Sequence, residues 1–208
     1  YMFIRDLYVE KPLVITTSKE RTIEEVLTIF KESGYRCIPA IDEMGNYEGM
    51  IYKIHLKEYV YEEGGDKKET IEKLLKHQNE YLDEDSSFVV ALSKIKALPF
   101  LSVVKDNKLI GILTHSRVMG VIEDALGKAT GGFNITISTL EATGMIEKLM
   151  KILKNENIEG LFTLDNGSKL MRRVVLTINK EKSKKELEEL QKKIEKAGFR
   201  VLHIDYLH

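Results

Sequence analysis

Few residues of this chain have a type and a position suited to chemistry, and one of them is an arginine at the start of a helix. Arg117 follows an apolar strand and opens a helical stretch, where a guanidinium and free backbone amides can bind a phosphate group. The alternative for Arg117 is a solvated side chain. His55 and His115 also lie near helix starts, and neither has a second histidine or cysteine at ligand spacing. We therefore expect capping or surface roles for both histidines and no metal site.

Catalysis has no candidate group. Cys37 is the single cysteine of the 208 residues, and it lies in an apolar strand. We expect it to be a small buried side chain and not a nucleophile. No serine–histidine–aspartate or cysteine–histidine set can be singled out, so no nucleophile has a base that would activate it. The sequence therefore predicts a protein that is not an enzyme.

The elements that must position these residues occur twice in the sequence. Each copy has an apolar strand, a turn, and a second strand that leads into a helix. The strands cover residues 36–42 and 47–52 in the first copy, and 100–105 and 108–114 in the second. Because one such unit cannot cover its own apolar face, the two copies are expected to pack together and leave a cleft related by pseudo-symmetry.

Local signals predict the elements that precede each copy. A short strand is expected at residues 13–16, and Thr22 begins a helix because Glu25 completes a capping box with it. Gly34 stands where a helix end needs a left-handed residue. The helix that precedes the second copy is expected to be capped by Ser86. Apolar residues at positions 71, 74 and 75 suggest a connecting helix between the copies.

The C-terminal part of the chain has a different pattern. Residues 127–132 are polar and glycine-rich, and we expect a flexible linker there. Hydrophobic periodicity and capping signals then predict alternating strands and helices. The strands are expected at 133–137, 158–164, 173–178 and 200–206, the helices at 145–153 and from Ser183 to Gly198, and a turn at 165–167. This βαββαβ order is a ferredoxin-like pattern.

Composition excludes several classes of partner. There are 32 Lys plus Arg and 33 Asp plus Glu, so a net charge of −1 gives no electrostatic reason to expect DNA, RNA or an acidic membrane surface. No apolar stretch approaches the ~18 residues of a membrane span. Since a single cysteine allows no intrachain disulfide, we expect a cytoplasmic protein.

The doubled arrangement resembles a tandem cystathionine-β-synthase (CBS) domain pair, also called a Bateman module. The segment 34–42 carries the most specific match, and Gly111-Ile112-Leu113-Thr114 carries the second. The C-terminal part resembles an ACT regulatory domain, with Gly144 matching a glycine usual in that family. The expected fold class is α+β, with CBS domains at 2–61 and 70–126 and an ACT-like domain at 133–208. Together these domains resemble bacterial regulators of the AcuB type and the cyclic di-AMP-binding CBS proteins of Firmicutes.

The resemblance implies a binding site for an adenosine-containing ligand in the cleft between the CBS copies. Adenine is expected to lie against apolar side chains and backbone groups, and ribose and phosphate against hydroxyls and an arginine. The residues that the resemblance places there are Ile15, Thr16, Tyr35, Arg36, Cys37, Ile38, Pro39, Leu113, Thr114, Ser116 and Arg117.

Two departures from the family pattern bear on the ligand. Many members carry an aspartate three residues after the motif threonine, where it holds both ribose hydroxyls. Here Arg117 and His55 occupy those positions, and Tyr52 replaces the threonine of the first copy. An arginine suits a ligand with two phosphates and no free ribose diol. The resemblance therefore favours cyclic di-AMP over AMP, ADP or ATP.

The expected function is that of a non-catalytic signalling protein without a cofactor. It would bind cyclic di-AMP and transmit occupancy to a protein partner that the sequence does not identify. The alternatives are a regulator that senses AMP or ATP, and a regulatory subunit whose ACT domain senses an amino acid. A homodimer is also expected, because an apolar helical stripe exceeds what one small domain needs. The stripe consists of Val118, Val121, Ile122, Ala125 and Leu126.

Overall fold

The computed structural model describes residues 4–140, 143–165 and 171–208. The chain divides into two compact units, and the division falls between Val118 and Met119. Each unit is α+β. No helix in the described part of the chain is both long enough and apolar enough to cross a membrane.

The first unit holds both copies of the repeat. Its strands are β1 (Val9–Glu10), β2 (Cys37–Ile41), β3 (Tyr47–Tyr52), β4 (Tyr81–Asp83), β5 (Phe100–Lys105) and β6 (Lys108–Thr114). Its helices are α1 (Ile23–Ser33), α2 (Lys53–Tyr61) and α3 (Phe88–Lys94), and α4 (His115–Ala125) begins in it. One sheet has the strand order β1-β6-β5-β4, and β2 pairs with β3 in a second sheet. The predicted strand–turn–strand–helix repeat is therefore confirmed.

The local signals around helix α1 are also confirmed. Thr22 accepts a hydrogen bond from the Glu25 amide, and the Glu25 carboxylate accepts one from the Thr22 amide. The helix ends at Gly34, whose φ of 74° is left-handed. Because these bonds satisfy backbone groups that a helix end leaves free, they fix where the following strand begins. That strand carries most of the predicted ligand-binding residues.

Three predictions for the lead segments are wrong. The strand expected at 13–16 does not form: Lys11–Leu13 is a single 3-10 turn, residues 14–16 pair with no described strand, and Thr17 makes an isolated bridge to Ala40. Pro12 at the start of that turn fixes φ and has no amide to donate to a sheet. The expected connecting helix is a single 3-10 turn, Glu72–Leu74, and the cap of α3 is Ser87 and not Ser86.

The two copies exchange their lead segments. Val9, which precedes the first copy, pairs with Ile112 in the second copy. Lys76, which precedes the second copy, pairs with Met50 in the first. The amide of Met50 donates to the carbonyl of Lys76 at 2.7 Å, and the amide of Lys76 donates back at 2.9 Å. Each copy thus completes the sheet of the other.

A glycine in each copy makes this exchange possible. Gly111 lies beside the first lead segment, and a Cβ at this position would stand 2.3 Å from the Val9 carbonyl oxygen. Gly49 lies beside the second, and a Cβ there would stand 2.8 Å from the Lys76 carbonyl oxygen. Real Cβ atoms do not approach so closely, so a larger residue at either position displaces the lead segment.

The second unit has the predicted βαββαβ order. Its elements are β7 (Gly132–Thr139), α5 (Met145–Ile152), β8 (Ile158–Asp165), β9 (Arg172–Ile178), α6 (Lys184–Lys196) and β10 (Arg200–Leu207). The antiparallel sheet has the order β10-β7-β9-β8, the arrangement of a ferredoxin-like fold. The predicted capping box of Ser183 and Glu186 is confirmed. The predicted turn at 165–167 extends outside the described residues.

The segment predicted as a flexible linker is a packed turn of the second unit. The amide of Gly131 donates to the carbonyl of Gly127, and the Thr177 hydroxyl donates to the Leu126 carbonyl at 2.6 Å. Glycines in this stretch have positive φ, with 73° at Gly127 and 130° at Gly132. Glycine adopts this conformation without strain, so these residues allow the backbone to follow the turn.

Candidate functional site

A cleft of about 480 Å³ lies between the two copies in the first unit. Its volume is in the range of small-molecule sites, which are concave and mostly apolar. The first copy and its lead segment contribute Val9, Leu13, Val14, Ile15, Gly34, Tyr35, Arg36, Cys37, Ile38 and Pro39, and the second copy contributes Pro99, Phe100, Ile112 and Thr114.

The cleft brings together seven of the predicted ligand-binding residues. These are Ile15, Tyr35, Arg36, Cys37, Ile38, Pro39 and Thr114. Three of them, Cys37, Ile38 and Pro39, lie at the start of β2. They reach the cleft because α1 stops at Gly34 and the chain turns directly into the strand. Thr114 reaches the cleft from the end of β6, which is the strand that pairs with the first lead segment.

Four predicted residues do not line this cleft. Thr16 lies at a separate cleft of about 220 Å³, together with Thr17 and Arg21. Leu113 is fully buried, because alternation along β6 turns it away from the face that presents its neighbours Ile112 and Thr114. Ser116 and Arg117 are exposed in the first turn of α4.

The start of α4 nevertheless adjoins the cleft through Thr114. The Thr114 hydroxyl accepts a hydrogen bond from the Arg117 amide at 3.4 Å, so the threonine caps the helix that carries the arginine. The His115 side chain is anchored by a 2.8 Å hydrogen bond between Nε2 and the Leu98 carbonyl. A phosphate group at this end of the cleft would meet a hydroxyl, helix amides and a guanidinium.

Apolar side chains at the cleft are unusually exposed. Leu13 is 76% exposed, Tyr35 52% and Ile15 40%. Large apolar groups that stay in contact with water around a concave surface mark a place where a ligand or partner removes them from water. Ile15, Pro39 and Ile112 give the cleft apolar walls that an apolar ring can contact.

Sequence reasoning missed several walls of the cleft. Val9, Leu13 and Val14 belong to the first lead segment, which reaches the cleft only through its pairing with the second copy. Phe100 begins β5, the strand that corresponds to β2, and Pro99 directly precedes it. Their place in the repeat is the signal that could have identified them, since the corresponding residues of the first copy were already assigned to the site.

The cleft holds no activated nucleophile. Burial raises the pKa of the Cys37 thiol to about 12, and a hydrogen bond with Tyr52 only partly offsets this. The thiol is therefore protonated at neutral pH, and the protonated form is a poor nucleophile and metal ligand. Among residues 4–140, 143–165 and 171–208, no three His, Cys, Asp or Glu side chains lie close enough to hold a metal ion together.

The family of the chain follows from comparison with known proteins. Residues 4–62 and 71–124, more than half of the chain, match the model of the CBS domain. The chain therefore belongs to the CBS-domain family, and residues 4–62 and 71–124 form a tandem CBS pair, as predicted. Both matched segments contain one strand–turn–strand–helix copy of the repeat. No curated protein matches the chain.

Solved structures share this fold over more than half of the chain. CbpB in complex with c-di-AMP is 19% identical, covers 58% of this chain and 84% of its own, and gives a TM-score of 0.54. A CBS domain-containing protein of unknown function from Bacillus anthracis is 25% identical, with coverages of 59% and 93% and a TM-score of 0.54. CBSX2 in complex with AMP is 18% identical, with coverages of 59% and 96% and a TM-score of 0.52.

Proposed function

We propose that the chain is a non-catalytic regulator that binds an adenine nucleotide, cyclic di-AMP in preference to others, between its CBS domains. Occupancy is then transmitted to a protein partner. The observation that carries the proposal is the apolar cleft of about 480 Å³ between the two copies, with exposed Leu13, Ile15 and Tyr35 around it. Two proteins of the same fold, CbpB and CBSX2, were solved with c-di-AMP and with AMP.

The walls of the cleft suit an adenine base. Ile15, Pro39 and Ile112 all line the cleft, so a planar ring there would contact apolar atoms from both copies. Adenine needs only a few hydrogen-bonding partners in addition to these walls to be oriented. Burial of the ring and of the exposed apolar side chains supplies the driving force.

The charged groups near the cleft favour two phosphates. Arg36 lines the cleft and is exposed, and Arg117 is exposed one turn beyond Thr114. Arg117 stands where many CBS domains carry the aspartate that holds a ribose diol. A cyclic dinucleotide has two phosphates and no free diol, so it gains from the arginines and does not lose a contact to an aspartate.

Calorimetric titration with a nucleotide panel tests the proposal. The expected result is that cyclic di-AMP binds more tightly than AMP, ADP or ATP. Affinity for ATP that equals or exceeds the affinity for cyclic di-AMP would instead support the alternative, a sensor of AMP or ATP. Absence of binding by every adenine nucleotide would contradict the function proposed for the cleft.

The Arg117→Ala variant belongs in the same panel. We expect it to weaken cyclic di-AMP binding by about 1.5–3 kcal/mol, the range for a hydrogen bond to a charged group, with the fold intact. Arg200→Ala is the matched control, because it removes the same charge from an exposed position on β10 in the other unit. Equal affinities in the two variants would remove Arg117 from the site.

For residues 133–208 we propose an ACT domain. The support is the ferredoxin-like strand order and Gly144, which precedes α5 with a left-handed φ of 75°. On this reading the second unit carries the output or a dimer contact. The alternative, in which this domain senses an amino acid and the CBS cleft is structural, predicts no nucleotide binding in the panel.

We also propose a homodimer. Helix α4 carries the predicted apolar stripe, along which Val118 is buried but Val121 and Ile122 are only partly covered. Two-fold pairing is the commonest closed assembly that would cover such a stripe. Light scattering is expected to give twice the chain mass of 23.9 kDa at micromolar concentration. A monomer with and without nucleotide would overturn the prediction.

A further inference from the structure

We propose that the chain binds one nucleotide and not two, because Tyr52 and His77 fill the pseudo-symmetric counterpart of the open cleft. Tyr52 then determines the stoichiometry. The identity of the ligand rests on the function proposed above. The assignment of the filled cleft rests on the strand register and on the ring contacts of these two residues.

Strand pairing defines which residues correspond in the two copies. Cys37 lies opposite Tyr52 in the first copy, and Phe100 lies opposite Thr114 in the second. Tyr52 is therefore the counterpart of Thr114, the hydroxyl residue of the open cleft. The exchanged lead segments extend the correspondence, because Lys76 pairs with β3 as Val9 pairs with β6.

Aromatic side chains occupy the counterpart position. The Tyr52 ring lies 5.8 Å from the His77 ring and 5.0 Å from the His55 ring, measured between centroids. Tyr47 donates a 2.9 Å hydrogen bond from its hydroxyl to the His77 carbonyl, and its ring packs edge-on against Tyr81 at 6.0 Å. A phenol ring thus stands where the open cleft has a threonine and free space.

The second lead segment is also shorter than the first. In the first lead segment Val9 pairs with β6 of the other copy and Thr17 pairs with β2, and these two residues are eight positions apart. Their counterparts, Lys76 and Leu82, are only six apart. The longer segment has room for the 3-10 turn that brings Leu13 and Ile15 to the open cleft. The shorter one has to turn sharply.

That sharp turn holds His77 over Tyr52. His77 has a left-handed φ of 57°, which is uncommon for a residue other than glycine. The turn is closed by the Glu80 amide, which donates to the His77 carbonyl at 3.1 Å. The imidazole Nδ1 lies 2.9 Å from the Glu80 carboxylate. Several contacts therefore maintain a backbone conformation that is unfavourable by itself.

The variant that opens the filled cleft is Tyr52→Thr, which gives the first copy the residue found at Thr114. Calorimetric titration with cyclic di-AMP is expected to give one site per chain for the unmodified protein and two for Tyr52→Thr. Tyr52→Phe is the matched control, because it keeps the ring and should retain one site. A second variant, Tyr52→Thr with His77→Gly, also relieves the left-handed position of the turn.

Two results would overturn the proposal: two sites in the unmodified protein, or one site in the double variant. If the unmodified protein binds nothing, the proposed function of the open cleft fails. In that case one binding site in the double variant still supports the filled cleft. Absence of binding by the double variant contradicts it. If neither Tyr52→Thr nor the double variant melts cooperatively, Thr114→Tyr decides. It should weaken binding at least 100-fold by filling the open cleft, and unchanged affinity would count against the proposal.

Discussion

Replacement of Phe30 by alanine is expected to lower the free energy of unfolding of the first unit by about 3–5 kcal/mol. Phe30 is fully buried in the last turn of α1. It packs in a cluster with Ile23 and Val26 of its own helix and with Ile38 and Ile51 of the first strand pair. Removing the ring loses its burial and leaves a cavity that surrounding residues fill only in part. Urea unfolding followed by circular dichroism measures the loss.

The same change should disturb the cleft. Gly34 is positioned by a hydrogen bond from its amide to the Phe30 carbonyl, and it begins the stretch that lines the site. Ile54→Ala is the matched control, since Ile54 is 54% exposed on α2 and its truncation should change stability by no more than about 0.5 kcal/mol. Similar losses for the two variants would mean that Phe30 is not part of a packed core.

Gly111→Ala is expected to destabilise the first unit by about 1–3 kcal/mol and also to weaken nucleotide binding. The new methyl group would stand 2.3 Å from the Val9 carbonyl oxygen and from a ring carbon of Tyr8. The first lead segment must move away from β6 to relieve this overlap. Val9 and Ile112 both line the cleft, so the movement separates two of its walls. A thermal melt and a titration with cyclic di-AMP report the two effects.

Gly120→Ala controls for the change of residue type. Gly120 lies in α4, and a Cβ there would meet nothing within 4 Å. Alanine favours a helix more than glycine does, so this variant should be stabilised by up to about 1 kcal/mol. If Gly111→Ala proved as stable as this control, the close approach of the lead segment to β6 would not be a constraint on the fold.

The parts of the fold that depend on local signals could be predicted from the sequence. The Thr22 capping box, the left-handed end at Gly34 and the Ser183 capping box each involve groups within four residues of one another. Their energetics are independent of the rest of the molecule, so the residue types suffice. The repeat was visible for a related reason, because the same local pattern occurs twice.

The lead segments could not be predicted in this way. Whether residues 13–16 form a strand depends on whether another strand is available for pairing, and Pro12 together with the exchange directs the chain into a 3-10 turn. The pairings of Val9 with Ile112 and of Lys76 with Met50 join residues that are distant in sequence. Hydrophobic periodicity is a property of neighbours and contains no information on such pairings.

The candidate site could likewise be predicted from the sequence only in part. The run from Tyr35 to Pro39 was identified as a unit and lines the cleft as a unit. Leu113 was assigned with Thr114, although neighbours in a strand face opposite sides; Ile112, two positions from Thr114, shares its face. The absence of Thr16 from the cleft follows from the turn at Lys11–Leu13, because it shifts the path of the segment that was read as a strand.

The exchange of lead segments bears on how such a molecule could arise by duplication. A chain with only one copy would have a lead strand and a glycine-containing strand that lack partners within the chain. Two such chains can each supply what the other lacks, and the result is a two-fold symmetric pair. Fusion of the two genes retains those pairings and removes the need for identical halves. The two lead segments are then free to diverge, one into a longer wall around Leu13 and the other into a tight turn at His77.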